Sequence, residues 1–326
     1  MITGNFVDPY TKEPLLPDFS GNLRRHSDAA VVYPVDGGCF DFVFSGRIQN
    51  AERDHYDKGH AGMIPAEVDL DSVREPWFDD SAPWWRTLLE SLGQIAGRRI
   101  LLIGNGGSCR ELYFVYLGAL VVYTDLSFET VKSVRDVFSR SDLNRPGTGA
   151  IEFHAVDAMH LPFPSCSFDI IYGSAFVHHL EDTGPFFSEV HRCLRPNGFC
   201  RFFDQADSPL WDWLKRTVLR PAQLYSHWRY PRSPEDLNAD SRGGFNKESL
   251  TRAMREHNFK ELFFVRDWFL HAIVWRHFGK AVGWKTDAMR KAAILFRITK
   301  GFDNLFSGTT CMRQNRLMLI WGFTKC

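Results

Sequence analysis

Apolar residues fall along this chain in two patterns that take turns. Short apolar runs occupy 100–103 and 120–124, and 150–156, 168–172 and 199–203 read as further strands. A strand buried on both faces of a parallel sheet reads this way. Between the runs, apolar residues recur every three or four positions. Trp84, Leu88, Leu89, Leu92 and Ile95 predict a helix over 77–96, with Pro83 suited to its first turn. Val131, Val134, Val137 and Phe138 predict another, which Ser127 caps and Glu129 and Thr130 open. A third runs over 186–194 and stops at Arg195-Pro196-Asn197-Gly198. Strand and helix alternate five times at short spacing. That implies α/β architecture: a doubly wound, mostly parallel sheet with helices on both faces and right-handed crossovers.

The flanks read differently. Residues 1–45 predict a small β module, strand-like at 29–35 and 39–43 around the turn Asp36-Gly37-Gly38. Residues 46–75 are polar and weakly periodic. Together with 76–205 they make up the predicted core. After 205 the alternation loosens. Residues 206–245 set Trp211, Trp213, Tyr225, Trp228 and Tyr230 among Lys215, Arg216, Arg220, Arg229 and Arg232, as an inserted lid would. A helix over 246–259 and a strand over 260–270 resume the core. Residues 271–312 read as a second insertion, helical from 286 to 306, and 316–324 as the last strand.

Composition narrows this little. The apolar fraction of 44% is that of a globular protein, and formal net charge is zero, so no global attraction to nucleic acid is expected. The charge is uneven, however. Residues 206–326 hold roughly 21 Lys and Arg against about 11 Asp and Glu, and the first 205 are acidic. Solvated helix faces explain that imbalance, and so does a pocket rim for an anionic substrate. The seven cysteines stand singly, with no Cys-x-x-Cys pair. Neither a zinc knuckle nor a redox pair is indicated, no metal constellation appears, and the pattern suits a reducing cytoplasm. The polar N-terminus predicts no signal peptide, and no apolar run approaches the ~18 residues of a membrane span.

The chemistry gathers around 99–127. The strand 100–103 runs into Gly104, Gly106 and Gly107, and a helix is expected over 108–116. Glycines let the backbone turn sharply and approach a ligand, and a helix start presents unpaired N–H groups. The next strand ends in Asp125, about twenty residues past the first glycine, where a doubly wound fold places the carboxylate that grips a ribose diol. The glycine spacing fits neither dinucleotide pattern, since Ser108 and Cys109 stand where a third glycine is needed. A tight turn with no ligand is the plainer alternative.

Over 77–205 the chain resembles the class I S-adenosylmethionine-dependent methyltransferases, particularly the quinone-biosynthesis branch. The marks are Ile103-Gly104-Asn105-Gly106-Gly107-Ser108, Tyr123-Thr124-Asp125, Val156-Asp157-Ala158, Leu161-Pro162-Phe163, Ser167-Phe168-Asp169, Val177-His178-His179-Leu180 and Glu189-Val190-His191-Arg192-Cys193-Leu194-Arg195-Pro196-Asn197-Gly198. The resemblance implies a seven-stranded Rossmann-like core whose last strand pairs antiparallel at the edge. It implies S-adenosyl-L-methionine as cofactor: the methionine part against Gly104, Asn105, Gly106 and Ser108, the ribose on Asp125 beside Leu126, the adenine on Asp157 and Ala158, and the methyl end near Ser174 and Ala175. Two departures stand out. Ile103 occupies the place of an acidic residue that orders the loop, and Ser108 that of a third glycine. Residues 1–45 resemble a small zinc-ribbon module, on Pro9, Lys12, Pro14-Leu15, Tyr33-Pro34-Val35-Asp36-Gly37 and Phe42-Val43. Its four metal cysteines would fall near Asp8, Thr11, His26 and Ala29, so the ribbon would be metal-free.

For proton acceptance the candidates are His178, His179 and Asp204, and each has a structural alternative as support or loop cap. His227 and His271, in the insertions, could also reach a substrate. The function this predicts is methyl transfer to a small-molecule acceptor, planar or anionic given the aromatic, basic insertions. The alternatives are an RNA methyltransferase and a non-catalytic partner subunit that kept the fold.

Overall fold

The computed structural model describes residues 5–43, 53, 57, 64–180, 182–210, 213, 217, 244–267, 270–282, 288, 291–306 and 318–326. The run at 100–103 becomes the central strand β6 (Arg99–Ile103), whose four apolar side chains are at most 2% exposed. Ile100 and Leu102 enter one apolar layer, and Leu101 and Ile103 the other. This double burial is why the strand shows no alternation in sequence. β7 (Leu120–Asp125) and β8 (Ala150–Ala155) lie on one side of β6. β9 (Phe168–Ser174) and β10 (Leu194–Gln205) lie on the other, and all five are parallel. The strand order therefore reverses beside β6. Open α/β sheets bind ligands at such a reversal, outside the carboxyl ends of the strands.

Two antiparallel strands, β11 (Phe259–Asp267) and β12 (Met318–Lys325), complete a seven-stranded core. The edge is not where it was expected. β12 lies between β10 and β11, so β11 is the outer strand. Leu319, Ile320, Trp321 and Phe323 are fully buried, and a strand that apolar needs neighbours on both sides.

The N-terminal region divides in two. β1 (Leu15–Pro17), β2 (Leu23–Arg25) and β3 (Val32–Tyr33) form a separate antiparallel sheet. β4 (Val35–Asp36) and β5 (Cys39–Asp41) form a hairpin that joins the main sheet beside β8, making nine strands in all. Gly37 and Gly38 both take positive φ, which a two-residue hairpin turn requires. Nothing supports the zinc-ribbon reading. Of the four matched positions Asp8 is buried, while Thr11, His26 and Ala29 are exposed.

Asp8 instead organises this small sheet with hydrogen bonds. Its carboxylate accepts from the Tyr10 and Thr11 N–H groups, from Arg25 at 2.8 and 3.0 Å and from the Tyr33 hydroxyl at 2.8 Å. Burial raises its pKa, but the bonds from Thr11, Arg25 and Tyr33 outweigh that and bring it from 3.8 to about 2. The folded form therefore favours the ionised acid. The stabilisation is fully present above pH 4 and is lost as pH falls from about 4 to about 2. Asp8→Asn is expected to cost about 2 kcal/mol at pH 7 and to flatten the acid limb of the stability curve, as read by thermal unfolding between pH 2 and 7. A stability curve that keeps its acid limb in the variant would dismiss this role. The module is tied to the core by Lys12, whose ammonium meets the Glu189 carboxylate at 2.7 Å, alongside Arg192.

The helices follow the pattern with two departures. The expected helix over 77–96 is two helices, α1 (Leu70–Phe78) and α2 (Pro83–Ser91). The Asp79 carboxylate takes the Ser81 N–H, and Pro83 bars its predecessor from helical backbone, so the chain breaks at 79–82. The helix expected over 108–116 shrinks to a 3₁₀ turn at Arg110–Leu112 and α3 (Tyr113–Tyr116). So short a helix contributes little dipole. α4 (Phe128–Arg140) begins at Ser127, which caps Thr130 N–H at 3.0 Å as expected. α5 (Thr183–Cys193) and α6 (Lys247–Glu256, capped by Asn246) pack on one face, and α7 (Leu270–Val282) and α8 (Ala293–Phe306) belong to the C-terminal insertion. Of the expected lid over 206–245, Trp211, Tyr225, His227, Trp228 and Tyr230 lie outside the described residues.

Candidate functional site

At the strand tips a cavity of about 400 Å³ opens over the β6 turn. Gly104, Asn105, Gly106, Ser108, Asp125, Leu126, Asp157, Ala158, Ser174 and Ala175 all line it. The tips of four neighbouring strands supply them: the turn after β6, the end of β7 and its loop, the mouth of β9 and the loop after β8. Residues 157–158 follow β8. Ten positions picked out along 72 residues of sequence thus share one cavity. His179, Met159, Phe176 and Leu180 close its wall.

The turn owes its shape to backbone and to side chains beneath it. Gly104 has φ +63° and Gly106 +54°, where a Cβ is strained. A Cβ on Gly104 would also sit 2.5 Å from the Phe176 ring, which lies against Gly173 as well. The Gly104 N–H donates to Thr124 O at 3.1 Å. Asp125 reaches across: Oδ2 accepts the Gly106 N–H at 2.8 Å and Oδ1 the Ser127 N–H at 3.0 Å. The Tyr123 hydroxyl donates to Gly106 O from below. Asp125 and the turn are therefore one hydrogen-bonded unit across two strands.

One residue here has no signature in the sequence. Glu111 is fully buried behind the turn. Its carboxylate accepts from the Ser108 hydroxyl at 2.8 Å, the Arg110 guanidinium at 2.6 Å and the Tyr172 hydroxyl at 3.0 Å. Ile103 removes the carboxylate that would order the loop from the strand. Glu111 brings one from the far side. A lone Glu in Arg-Glu-Leu looks like any first-turn acid, so folding had to reveal it.

Some polar groups lining the cavity are left without protein partners. Both amide atoms of Asn105 are buried and unbonded, and so is Asp157 Oδ2. Asp157 Oδ1 accepts from Met159 N–H at 2.9 Å. Burial pushes the Asp157 pKa up, against the Met159 bond and the nearby His160 ring. Buried polar groups are nearly always bonded, so orphans that line a cavity point to a ligand.

The proton-accepting candidates separate. His179 lines the cavity. His178 turns into the protein, 8% exposed, and its Nδ1 lies 2.5 Å from Asp204 Oδ1 at the tip of β10. Two positions 26 residues apart thus make one pair. His271 is elsewhere and fully buried. Its Nε2 meets Ser81 O at 2.8 Å and its Nδ1 the Thr299 hydroxyl at 3.0 Å, so it ties α7 to α8 and to the α1–α2 loop. That corrects its placement among the groups that reach a substrate. Burial lowers its pKa and keeps it neutral.

A second, larger cavity of about 1120 Å³ lies between the α1–α2 corner and the C-terminal insertion. Phe78, Trp85, Trp275 and Phe296 give it aromatic walls, and Arg110, Arg297, Lys300 and Asp79 line its charged rim. Arg110 lies 3.6 Å over the Trp85 ring and bonds Glu111, which bonds Ser108. The buried Glu111 carboxylate therefore bonds one lining residue of each cavity.

Residues 101–202 match a protein family described as a methyltransferase domain. The chain is 31% identical over 185 residues to 2-methyl-6-phytyl-1,4-hydroquinone methyltransferase of Synechocystis sp., covering 55% of this chain and 54% of that protein. It is 32% identical over 108 residues to ubiquinone biosynthesis O-methyltransferase of Bartonella bacilliformis, covering 33% and 41%. It is 29% identical over 104 residues to 27-O-demethylrifamycin SV methyltransferase of Amycolatopsis mediterranei, covering 32% and 37%. The chain spans about half the length of the first relative and less of the other two. Strand order, switch-point cavity and family match converge on residues 101–202, which carry the methyltransferase domain.

Proposed function

We propose that this chain transfers a methyl group from S-adenosylmethionine to a small molecule, a planar ring bearing an ionisable hydroxyl. The observation that carries the proposal is the cavity at the strand reversal, with Asp125 bonded to the glycine turn and three buried polar atoms without a hydrogen-bond partner. The residues present fit the cofactor. Asp125 takes the ribose hydroxyls. Asp157 Oδ2 accepts from the adenine amine, beside Ala158 and Leu126. Asn105, with Gly104, Gly106 and Ser108, holds the polar methionine end, and Ser174 and Ala175 border the reacting methyl. The cofactor supplies an electrophilic sulfonium methyl. The protein aims the acceptor oxygen at it and takes the hydroxyl proton.

The acceptor class rests on the aromatic walls of the second cavity, whose rim sets Arg74, Arg110, Arg297 and Lys300 among the carboxylates of Asp69, Asp71, Glu75, Asp79 and Asp80. Two relatives are named for a hydroquinone and for ubiquinone biosynthesis, which agrees with it. The observation that prompted a non-catalytic reading, Ile103 without a carboxylate, is met by Glu111 behind the turn.

Radiolabelled S-adenosylmethionine, incubated with a panel of hydroquinones and catechols, is expected to label at least one of them. No labelling from any phenolic acceptor, with the cofactor bound, sinks the acceptor class. No heat on titrating the cofactor sinks the whole reading. Cofactor affinity is also expected to be weaker at acidic pH than at pH 7. Burial raises the pKa of Asp157, so it gains a proton at a higher pH than an ordinary Asp and then cannot accept from the adenine amine. Titration calorimetry at the two pH values checks this, and Asp157→Asn should bind weakly at both.

A further inference from the structure

Helix α8 is inverted relative to its neighbours. Its inward face is largely polar. Asp303 accepts from the Leu270 and His271 N–H groups at 2.9 and 3.0 Å, closing the start of α7, and Thr299 bonds His271. Phe296 is the apolar residue on that face. The outward face carries Ile294, Ile298 and Leu305, exposed by 72, 65 and 77%. At about 100° per residue these three fall within roughly 40° of arc, and Phe302 lies beside them. A helix packed on a core normally turns its apolar stripe inward. Here a ridge about 17 Å long faces out, and an apolar patch of that kind marks a contact surface.

We propose that α8 lays this ridge on the surface of an anionic lipid bilayer. Charge selects that occupant. Over 270–306 the sequence holds seven Lys and Arg against Asp287 and Asp303, and Asp303 is buried. Lys291 is exposed one turn before Ile294 and on the same side, and Arg297 is exposed along one border of the ridge. An apolar stripe with basic flanks lies in the headgroup plane and adds electrostatic attraction to buried area. A second copy fits worse, because a two-fold contact through α8 would set the same positive flanks against each other. Among the described residues no helix is long and apolar enough to cross a membrane, so the contact is with the surface.

The test is co-sedimentation of the full chain with vesicles of phosphatidylcholine alone, or with one-third phosphatidylglycerol. The chain is expected to pellet with the anionic vesicles at least tenfold better, and to be released by 0.5 M salt. Combining Ile294→Ser, Ile298→Ser and Leu305→Ser should abolish pelleting while leaving the unfolding temperature and cofactor binding unchanged, since all three side chains are exposed. Lys291→Glu should weaken anionic binding about fivefold and leave neutral vesicles unaffected. Failure of the wild type to pellet overturns the proposal. Equal pelleting by the triple variant does so as well. A dimer that light scattering detects and the triple variant dissociates assigns the ridge to a second copy instead.

Discussion

Asp125→Ala is expected to weaken S-adenosylmethionine binding by about 100- to 1000-fold while the protein stays folded. Two losses add. The ribose diol loses a charged acceptor, and hydrogen bonds to a charged group contribute about 1.5–3 kcal/mol each. The glycine turn loses its cross-strand tie, because the same carboxylate accepts the Gly106 and Ser127 N–H groups. The Gly106 N–H then turns to water or to a neighbouring carbonyl, and the turn loosens where the methionine end would lie. The strand beneath is insulated from the change. Val121, Val122 and Tyr123 are fully buried and paired to β6 and β8, so the sheet keeps its register. Titration calorimetry with the cofactor and with its demethylated product reads the affinity, and thermal unfolding confirms the fold. Asp125→Asn should fall between wild type and Ala, since it keeps an acceptor but not the charge. A dissociation constant within threefold of wild type in the Ala variant would show that this cleft does not grip an adenosine.

How much of this was legible in the residues depends on how local its cause is. The double burial of β6 is written in four consecutive apolar residues. The caps at Ser127 and Asn246 are written in side chains that bond an N–H three residues on. The strand-tip cavity was legible for a related reason. Each of its residues sits at a strand tip, and a run of apolar residues marks where a strand ends. What could not be read was set by partners far along the chain. The α1–α2 break is a Pro83 effect, yet the apolar stripe continues through it because both helices face the same layer. The β4–β5 hairpin looked like part of a separate module. It pairs with β8 through Phe40 and Asp41, more than a hundred residues from their partners. Glu111 and the His178–Asp204 pair exist only once β6, β9 and β10 lie side by side. His271 shows the reverse error: a titratable ring in a basic insertion suggested chemistry, and burial made it a strut.

His178→Asn and Asp204→Asn are each expected to lower kcat by about 100- to 10,000-fold and to leave cofactor affinity unchanged, as loss of a general base does. The argument runs from the pair to the proton. Asp204 is 1% exposed, and its Oδ1 lies 2.5 Å from His178 Nδ1, so the carboxylate fixes the imidazole in place. Asp204 Oδ1 also accepts the Gln205 N–H at 2.9 Å, so the carboxylate is fixed from the backbone side. The 3₁₀ turn at Val177–His179 follows closely on the mouth of β9, whose Ser174 and Ala175 line the strand-tip cavity. His179 packs against His178 with ring centres 4.2 Å apart and planes tilted by 40°, and itself lines that cavity, so it is the natural control. His179→Asn should raise the cofactor KM severalfold and spare kcat if His178 takes the proton. The opposite split, with kcat lost in the His179 variant and only stability lost in the other two, would make the His178–Asp204 pair a brace between β9 and β10. Single-turnover rates with saturating cofactor separate these outcomes, because they report the transfer step apart from product release.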